Sequence, residues 1–567
     1  MKNLEIAQIF EEIADILEIQ EVEWKPQAYR KAAMSIRSLS EDIEDVCNKR
    51  RLKDISGIGE NIARKIEEII KTGRLKYFER LKKQMPAGFG QLMNIPGIGP
   101  KTAKILVDKL KIKSKKDLLK AIKKKRLRNI EGFGEKTEQE ILEGLNIIKT
   151  ERHLLGDMLK IAREIKDELA GLKYISAVDI AGSLSRMKET IKDIDILAIS
   201  SDHTKVMDFF TKMNDVKKVI VKGNTKTSVL LTNNIQVDLR VVDKKNYGSA
   251  LQYFTGSKDH GINVRRIAIK HGYKLSEYGL FKGKRNVVAG KPEKDIYKKL
   301  GMQWPAPELR EDSGEIDAAL KNKLPKLIEL KDINGDLHVH TKWSDGNNTI
   351  EEMARNAISL GYKYICISDH SKGLKIANGL TEKRLRNQLK EIDKVNKKLK
   401  KIHIFKGAEV DIKKNGNLDI NKDMLKQLDI IIGSVHSGFK SSELEMTKRI
   451  LNAMDNPNVN IIGHPTGRLL FKRNPYNINL EKIFEKAKER NIALEINAMP
   501  HRLDLNDVNA RAAKDYGVKM VINTDAHAKV NMNYMELGVG VARRAWCEKS
   551  DIINSYSVKK LERFLDK

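Results

Sequence analysis

Residues 1 to about 150 place apolar side chains three and four apart with few β-branched runs, and read as helix after helix. Three turns interrupt the pattern: ISGIGENIARKI (55–66), IPGIGPKTAKIL (95–106) and IEGFGEKTEQEIL (130–142). Each runs apolar-x-Gly-apolar-Gly into a helix. From about 150 to 300 the pattern alternates between helix and strand. A helix is expected from Arg152 to about Ala170, followed by the strand-like runs VDIAGSLS, DIDILAIS, KKVIVKG, SVLLTN and IQVDLRVV. Trp304 to Gly335 is proline- and charge-rich and reads as a linker with a short helix. Beyond it a third rhythm sets in, of short apolar runs separated by helical stretches: DLHVHT, YICISDH, IHIFKGAEVD, LDIIIGSVH, VNIIGHP, IALEIN and MVINTDAH. Seven such runs alternating with helices predict a β/α barrel. The expected fold class is multidomain α and α/β. The expected divisions are 1–85 and 86–150 (helical), 151–300 (α/β), 301–334 (linker) and 335–567 (barrel).

Composition adds a partner to this outline. A chain of 567 residues has room for three or four domains. Lys and Arg outnumber Asp and Glu by 107 to 77, a formal charge of +30, which points to a polyanion and most readily to nucleic acid. The three cysteines, Cys47, Cys366 and Cys547, are too scattered for a disulfide framework or a thiolate zinc site, which fits a reducing cytosol. The acidic, amphipathic start MKNLEIAQIFEEIADILEI is unlike a signal peptide, and no apolar run approaches the ~20 residues needed to span a bilayer. A cytoplasmic monomer without a membrane partner is therefore expected.

The turns and strand ends carry the candidate chemistry. In the hairpins, Gly57, Gly59, Gly97 and Gly99 permit close backbone approach, and each following helix aims free N–H groups outward as a phosphate cradle. Lys65, Lys101 and Lys104 offer counter-charge, while the run Lys123–Arg126 reads equally well as a solvated helix face. Asp193 and Asp195 project from one side of a strand, and Asp238 in another strand is the obvious third carboxylate of a two-cation site. On spacing alone an edge strand with a solvated acidic face fits as well; the preceding Gly182-Ser183 turn favours the cation site.

In the last third the apolar runs end in His338 and His340, with Asp345 just after, then His370, Glu409, His436, His464, Asp525 and His527. At the C-terminal ends of barrel strands these nine side chains would converge on one mouth, and imidazole with carboxylate suits Mn²⁺, Zn²⁺ or Fe²⁺. IALEIN offers no clear ligand. Asp369 reads as a carboxylate supporting the ligands, and Arg468 and His501 as phosphate contacts or as ordinary surface residues. His153, His203, His260, His271 and His403 match no ligand position.

These motifs carry a resemblance. AYRKAA (28–33) with the first hairpin, and the palm-like motifs after it, make residues 1–300 similar to the X-family DNA polymerases, the group of DNA polymerase beta. The resemblance implies a helix-hairpin-helix N-terminal region, a fingers-type helix-hairpin-helix domain and a nucleotidyltransferase palm with thumb. It implies a catalytic triad of Asp193, Asp195 and Asp238 holding Mg²⁺ or Mn²⁺. It implies nucleotide binding by Arg152, Gly182, Ser183, Arg186, Tyr253, Phe254 and Gly256, and DNA contacts at Asn263 and Arg265. Lys65 matches the lysine that forms a Schiff base at abasic sites. Three positions depart from the pattern: Asn61, Lys192 and Lys258.

Residues 335–567 resemble the PHP (polymerase and histidinol phosphatase) family, a distorted (β/α)7 barrel holding up to three divalent ions, and the nine-ligand pattern is complete. The order of hairpins, palm and barrel is similar to that of the bacterial and archaeal PolX family. The resemblance implies a polymerase filling short gaps in base excision repair, with a 3′–5′ exonuclease in the barrel. AP-endonuclease or lyase activity occurs in some relatives, and gapped DNA and dNTPs are the implied partners. A PHP phosphatase on a small phosphate ester is the alternative, and a DNA-binding scaffold with both sites silent is a third reading.

Overall fold

The computed structural model describes residues 2–20, 22–37, 43–55, 58–83, 92, 100–124, 126–130, 133–134, 137–138, 141, 152–282, 285–288 and 292–566. The chain divides into two compact units, 1–151 and 152–567.

The first unit is helical in every described element. Helices Lys2–Ile19, Lys25–Arg37, Ile43–Asn48, Glu60–Thr72 and Lys76–Lys83 enclose one core, in which Phe10, Ile13, Ile36, Ile66 and Leu75 are buried. In Glu60–Thr72 the buried Ile62, Ala63, Ile66 and Ile69 lie on one stripe with charges between them, and Gly73 ends the helix in the left-handed conformation that glycine tolerates best. Helices Pro100–Leu110 and Lys115–Lys123 form a second core around Leu106, Leu118 and Leu127. Ser114 caps the latter helix by accepting from the Asp117 amide.

The second unit begins with a five-stranded sheet. Its strands are β1 (Ile175–Ala181), β2 (Asp193–Ser200), β3 (Val216–Lys222), β4 (Lys226–Leu231) and β5 (Gln236–Val242), in the spatial order β1-β2-β5-β4-β3. β2 and β5 run parallel, and the other neighbours are antiparallel. Ile194, Ile196, Val237, Leu239 and Val241 are buried, while the alternate positions carry Asp193, Asp195 and Asp238. Beyond the sheet, helices Tyr247–Thr255, Lys258–Lys270 and Lys294–Lys299 and a three-stranded antiparallel sheet enclose a small core around Val264, Leu280 and Tyr297.

The stretch expected as a linker with a short helix contributes packed residues: Leu309, Arg310, Glu315, Ala319 and Ile328 are buried. Helix Glu315–Leu320 is present, and its Ala319 joins this small core. Arg310 is fully buried and grips Glu293 through Nη1 at 2.5 Å and Nη2 at 2.9 Å. Glu315, also fully buried, pairs with His260 Nδ1 at 2.6 Å. The charge-rich composition misleads because these charges neutralise one another inside; removing one member of such a pair typically costs ~3–5 kcal/mol.

Seven parallel strands follow: β6 (Gly335–Val339), β7 (Tyr364–Ile367), β8 (His403–Asp411), β9 (Ile430–Ser434), β10 (Ile461–Ile462), β11 (Ala493–Asn497) and β12 (Met520–Asn523). They pair in chain order, and a parallel bridge from Val339 to Ala526 brings the last strand back to the first, so the barrel is nearly closed. Both faces of the strands are buried, which is why they read as continuous apolar runs. Tyr364, Cys366, Phe405, Ile430, Ile432, Ala493 and Val521 form one core. Their neighbours Ile365, Ile367, Ile404, Ile431, Leu494 and Ile522 belong to the layer shared with the surrounding helices.

That outer layer is continuous with the core of the five-stranded sheet. The contact is close enough to require small residues. A Cβ on Gly156 would lie 3.0 Å from Pro500, and one on Gly540 would lie 2.6 Å from Met187. Arg163 reaches across to Glu536 with two hydrogen bonds of 2.8 and 2.7 Å.

Candidate functional sites

The parallel register of β2 and β5 places Asp195 opposite Asp238, with Asp193 two residues earlier on the same side of β2. Burial, then the charges of Asp193 and Asp238, push the Asp195 carboxyl up to about 7. Asp238 is held by Lys226 Nζ at 2.7 Å and Gln236 Nε2 at 2.8 Å. The turn Gly182–Ser185 sits directly on Asp195. Gly182 has φ +65°, and a Cβ there would lie 2.0 Å from Asp195 Oδ2, so both the backbone conformation and the space demand glycine. Two carboxylates gathered around a third that is reluctant to ionise suit divalent cations.

The other residues expected at this site divide into those beside the aspartates and those turned elsewhere. Ser183 lies in the Gly182 turn. Arg186, at the end of that turn, donates from Nε to Glu311 at 2.9 Å and from Nη1 to the Thr255 carbonyl at 2.9 Å. Arg152 donates to the Thr190 hydroxyl at 2.7 Å and to the Thr190 carbonyl, and is not drawn to the aspartates. Tyr253 and Phe254 end helix Tyr247–Thr255, their rings edge to face, with Gly256 extending the chain beyond. Arg265 lies over the Tyr253 ring, and Arg240 over Phe254. Asn263 donates to Asp312 at 2.7 Å. Lys192 and Lys258 are exposed.

The barrel mouth gathers all nine side chains expected there. Three groups form in which the candidate ligand atoms lie within 4.8 Å of the others of the same group: His340, Asp345, His370 and His527; His338, His340 and Asp525; and His370, Glu409 and His436. His464 joins them through Glu409, its Nε2 lying 3.0 Å from Oε1. Strand parity explains the convergence: Cys366, Phe405, Ile432 and Val521 point inward, and steps of two from them lead to His370, Glu409, His436 and Asp525. His464 and Asp525 hold positive φ, +27° and +53°, an uncommon state for side chains of this kind that the surrounding structure must enforce.

The chemistry of this donor set fits bound cations. Nε2 of His338, both ring nitrogens of His340 and Oε2 of Glu409 are buried without a hydrogen-bond partner. Burial, and then His527 and His370, both stacked against its ring, drive His340 down to about 3. Burial opposes charge on His436 as well, but Glu409 and Asp411 carry it up to about 9. His527 reaches about 9 beside Asp345 and Asp525. Imidazoles and carboxylates thus share charge in a way that metal ions would take over.

Around the nine stands a supporting layer. Asp369 accepts from the Thr341 amide and hydroxyl and from Ser344, and so braces the loop that carries Asp345. Glu495 is the residue that reading the sequence missed. Its Oε1 takes His338 Nδ1 at 2.7 Å, and its Oε2 takes the His464 amide at 2.7 Å. The signal was available, since Glu495 stands two residues after the inward-facing Ala493. Arg468 faces away from the mouth, bound to Glu189 at 2.7 Å and to the Leu503 carbonyl. His501 is likewise absent from the lining, and its neighbour Arg502 takes the place. The cavity, about 300 Å³, is lined by Arg502 with Asp345, His370, Glu409, His436, Asp525 and His527, and by the apolar Leu374, Ile376 and Ala377. Of the histidines expected to be ordinary, His203 faces Asp243, His271 bonds the Ile267 carbonyl, and His403 packs on Phe405, all away from the mouth.

In the first unit, Gly59 precedes helix Glu60–Thr72 in extended conformation. Lys65 is half-buried on that helix, its ammonium 5.1 Å from the Tyr77 ring and 6.0 Å from that of Tyr29, and donating to the Asn61 carbonyl. Burial lowers the Lys65 ammonium below its ordinary value. Gly57, Gly97 and Gly99 lie outside the described residues, as does the side chain of Lys101.

Comparison with known proteins agrees with this division of labour. A helix-hairpin-helix domain matches residues 1–75 and a SAM-like helix-hairpin-helix tandem 89–146. The DNA polymerase beta thumb matches 250–311 and the PHP domain 336–499. The DNA polymerase/3′–5′ exonuclease PolX of Bacillus subtilis is 38% identical over 572 residues, covering 100% of this chain and 99% of its own length. The chain belongs to the PolX family. Two further relatives match a smaller share of the chain. A protein of Thermoanaerobacter sp. (strain X514) named "probable phosphatase" is 34% identical over 41% of this chain and 93% of its own length. One of Clostridium acetobutylicum with the same description is 34% identical over 34% of this chain and 78% of its own length. Among the described residues, no helix is long and apolar enough to cross a membrane.

Proposed function

We propose that the chain is a DNA polymerase that fills short gaps during base excision repair and carries a 3′–5′ exonuclease in its barrel. The full-length likeness to a DNA polymerase/3′–5′ exonuclease carries the reading, and two separate acidic centres within one compact unit support it. Phosphatase action on a small ester accounts for the barrel alone and leaves the hairpins, the aspartate sheet and the +30 charge without use.

In the palm, Asp193, Asp195 and Asp238 would hold two Mg²⁺ or Mn²⁺ ions, and in the barrel the nine His, Asp and Glu side chains would hold up to three of Mn²⁺, Zn²⁺ or Fe²⁺. Bound ions supply activation of the attacking oxygen and neutralisation of phosphate charge at both centres. The chain's own groups do the rest. Asp238 orients the primer 3′-hydroxyl and takes up its proton. Ser183, Arg186 and Arg152 hold the outer phosphates of the nucleotide, the guanidinium fork matching phosphate geometry. Tyr253, Phe254 and Gly256 form the wall under the sugar, and Asn263 and Arg265 meet the DNA. The hairpins around Gly57, Gly59, Gly97 and Gly99, with Lys65 and Lys101, grip the backbone without reading bases, which makes binding salt-sensitive. In the barrel, Glu495 orients His338 and Asp369 braces the loop bearing Asp345. The lowered Lys65 supports a further role as the amine that attacks an abasic sugar, for which borohydride trapping on abasic DNA, lost in Lys65→Ala, is the check.

The test of the main reading uses one gapped, 5′-labelled duplex with Mg²⁺ or Mn²⁺. Asp193→Ala should degrade the primer without extending it, and His340→Ala should extend without degrading. One substitution abolishing both activities in a folded protein would overturn the two-site reading.

A further inference from the structure

Beside the Arg163–Glu536 and Arg468–Glu189 pairs, the palm and the barrel meet at the carboxylate of Glu311. Glu311 Oε1 accepts from Arg186 Nε at 2.9 Å and from Arg544 Nη1 at 3.1 Å, and Lys188 Nζ lies 3.7 Å from Oε2. Arg544 also donates from Nη1 to the Arg186 carbonyl at 2.9 Å, and from Nη2 to Asp507 at 2.5 Å. Its side chain is only 6% exposed, and that of Arg186 12%. Arg544 closes helix Met535–Arg544 of the barrel, which follows the loop bearing Asp525 and His527. Arg186 closes the turn that begins at Gly182 over Asp195. A buried barrel arginine therefore touches both the backbone of Arg186 and the carboxylate that occupies its guanidinium.

We infer that Arg544 is a positioning residue for nucleotide binding in the palm: by sharing Glu311, it sets how readily Arg186 turns from that carboxylate to the outer phosphates of an incoming nucleotide. The inference rests on the proposed role of Arg186 as a phosphate holder. The argument is electrostatic exchange. Arg186 cannot give its Nε to Glu311 and its full fork to a phosphate at once. When it leaves, Glu311, whose side chain is 21% exposed, keeps only partial access to water and must keep other counter-charges, or the exchange is opposed by a half-buried anion short of partners. Arg544 and Lys188 are those counter-charges. Against the burial that raises it, Arg186, Arg544 and Lys188 together hold the Glu311 carboxyl below its ordinary range. Without Arg544, Glu311 depends more heavily on Arg186 and holds it back from the nucleotide. Without the charge on Glu311, nothing competes for the guanidinium.

The test is primer extension by the full chain on gapped DNA, with KM and kcat for dNTP measured separately. Degradation of single-stranded DNA by the barrel serves as the control for fold. Arg544→Ala should raise the dNTP KM by about 5–10-fold, a part of what one charge-assisted hydrogen bond is worth because the effect reaches the nucleotide through Glu311 and Arg186, with kcat and degradation little changed. Arg544→Lys should recover part of that loss. Glu311→Gln should lower the KM, and in the Glu311→Gln background Arg544→Ala should change it less than about 2-fold, because coupled pairs are non-additive. Arg186→Ala, measured alongside, separates the two levels of the argument. If Arg186→Ala leaves the KM unchanged, the phosphate role of Arg186 fails. If Arg186→Ala raises the KM while Arg544→Ala and Glu311→Gln do not move it, or if the effects of the last two simply add, the positioning role of Arg544 is overturned. Should Arg544→Ala fail to fold, Glu311→Gln alone decides: an unchanged or raised KM refutes the competition.

Discussion

Glu495 Oε1 accepts the Nδ1 proton of His338 at 2.7 Å, with both side chains fully buried beneath the barrel mouth. The bond fixes the ring so that Nε2 points toward Glu409 and Asp525, 3.4 and 3.7 Å away. Asn523 and Asn497 donate to the same carboxylate at 2.9 and 3.1 Å, so Glu495 is itself locked. Carboxylates behind a ligating histidine set its tautomer and basicity, and their loss typically costs ~10–100-fold in metal affinity or activity. Glu495→Gln should therefore weaken Mn²⁺ binding and 3′-end degradation by about that range while leaving primer extension intact. Metal titration beside both activity assays checks it; full degradation activity at limiting Mn²⁺ would contradict the role.

Gly182 offers a test on the other centre. An alanine Cβ would lie 2.0 Å from Asp195 Oδ2 on a backbone with φ +65°. Left-handed strain costs only ~1–2 kcal/mol, so the protein should fold, but the carboxylate must move. Misplacement of about 1 Å at a reacting centre costs ~10²-fold, and Gly182→Ala should lose extension by that order while degradation at the barrel persists. Steady-state extension and single-strand degradation, run on the same preparation, distinguish this from general unfolding.

How much of this was legible in the sequence follows from what fixes each side chain's direction. Both faces of the barrel strands are buried, so each strand is a short apolar run whose polar terminus stands out, and all nine expected positions meet at the mouth. Glu495 was passed over because IALEIN shows an acid flanked by apolar residues, and only the inward parity of Ala493 reveals where it points. Met499 to Asn506 follows β11 as a loop with no periodicity, so nothing in the sequence separates His501 from Arg502, and the structure lines the mouth with Arg502. Arg468 reads from the sequence as a phosphate contact or an ordinary surface residue, and the charge that it meets is Glu189, 279 residues away in the chain. The 301–334 stretch reads as a linker because its pairings, such as Arg310 with Glu293, are also non-local. The Asp195–Asp238 pairing needed only the alternation of β2 and β5, whereas the engagement of Arg186 with Glu311 lies 125 residues away and has no local signature.

The raised pKa of Asp195 has a sign that can be measured. Its carboxyl titrates near 7 in the folded protein against an ordinary 3.8, so between those values the folded state keeps a proton that the unfolded state has lost. Metal-free stability should fall as pH rises through that window, with a slope of at most about 1.4 kcal/mol per pH unit, and Asp195→Asn should flatten it. Cation binding requires the carboxylate, so Mg²⁺ should displace close to one proton from the palm at pH 6 and little at pH 8.5. The palm signal is isolated in a variant with His340→Ala. Calorimetry in two buffers of different ionisation enthalpy reads the proton count directly.

Arg502 is placed to hold the phosphate that the barrel cleaves. Its side chain is 18% exposed, Nε lies 3.4 Å from Asp525 Oδ2, and both Nε and Nη1 are buried without a hydrogen-bond partner. A buried guanidinium with unused donors at the rim of an anion site is poised for a phosphate oxygen, and hydrogen bonds to charged groups are worth ~1.5–3 kcal/mol. Arg502→Ala should lower kcat/KM for DNA degradation by about 10–100-fold, with Arg502→Lys in between because an ammonium lacks the planar fork. If the arginine instead served only to neutralise Asp525, Arg502→Ala would change Mn²⁺ affinity while kcat/KM at saturating metal stayed near wild type. Measuring degradation across a metal titration therefore separates substrate contact from charge balance: the expected loss survives saturation.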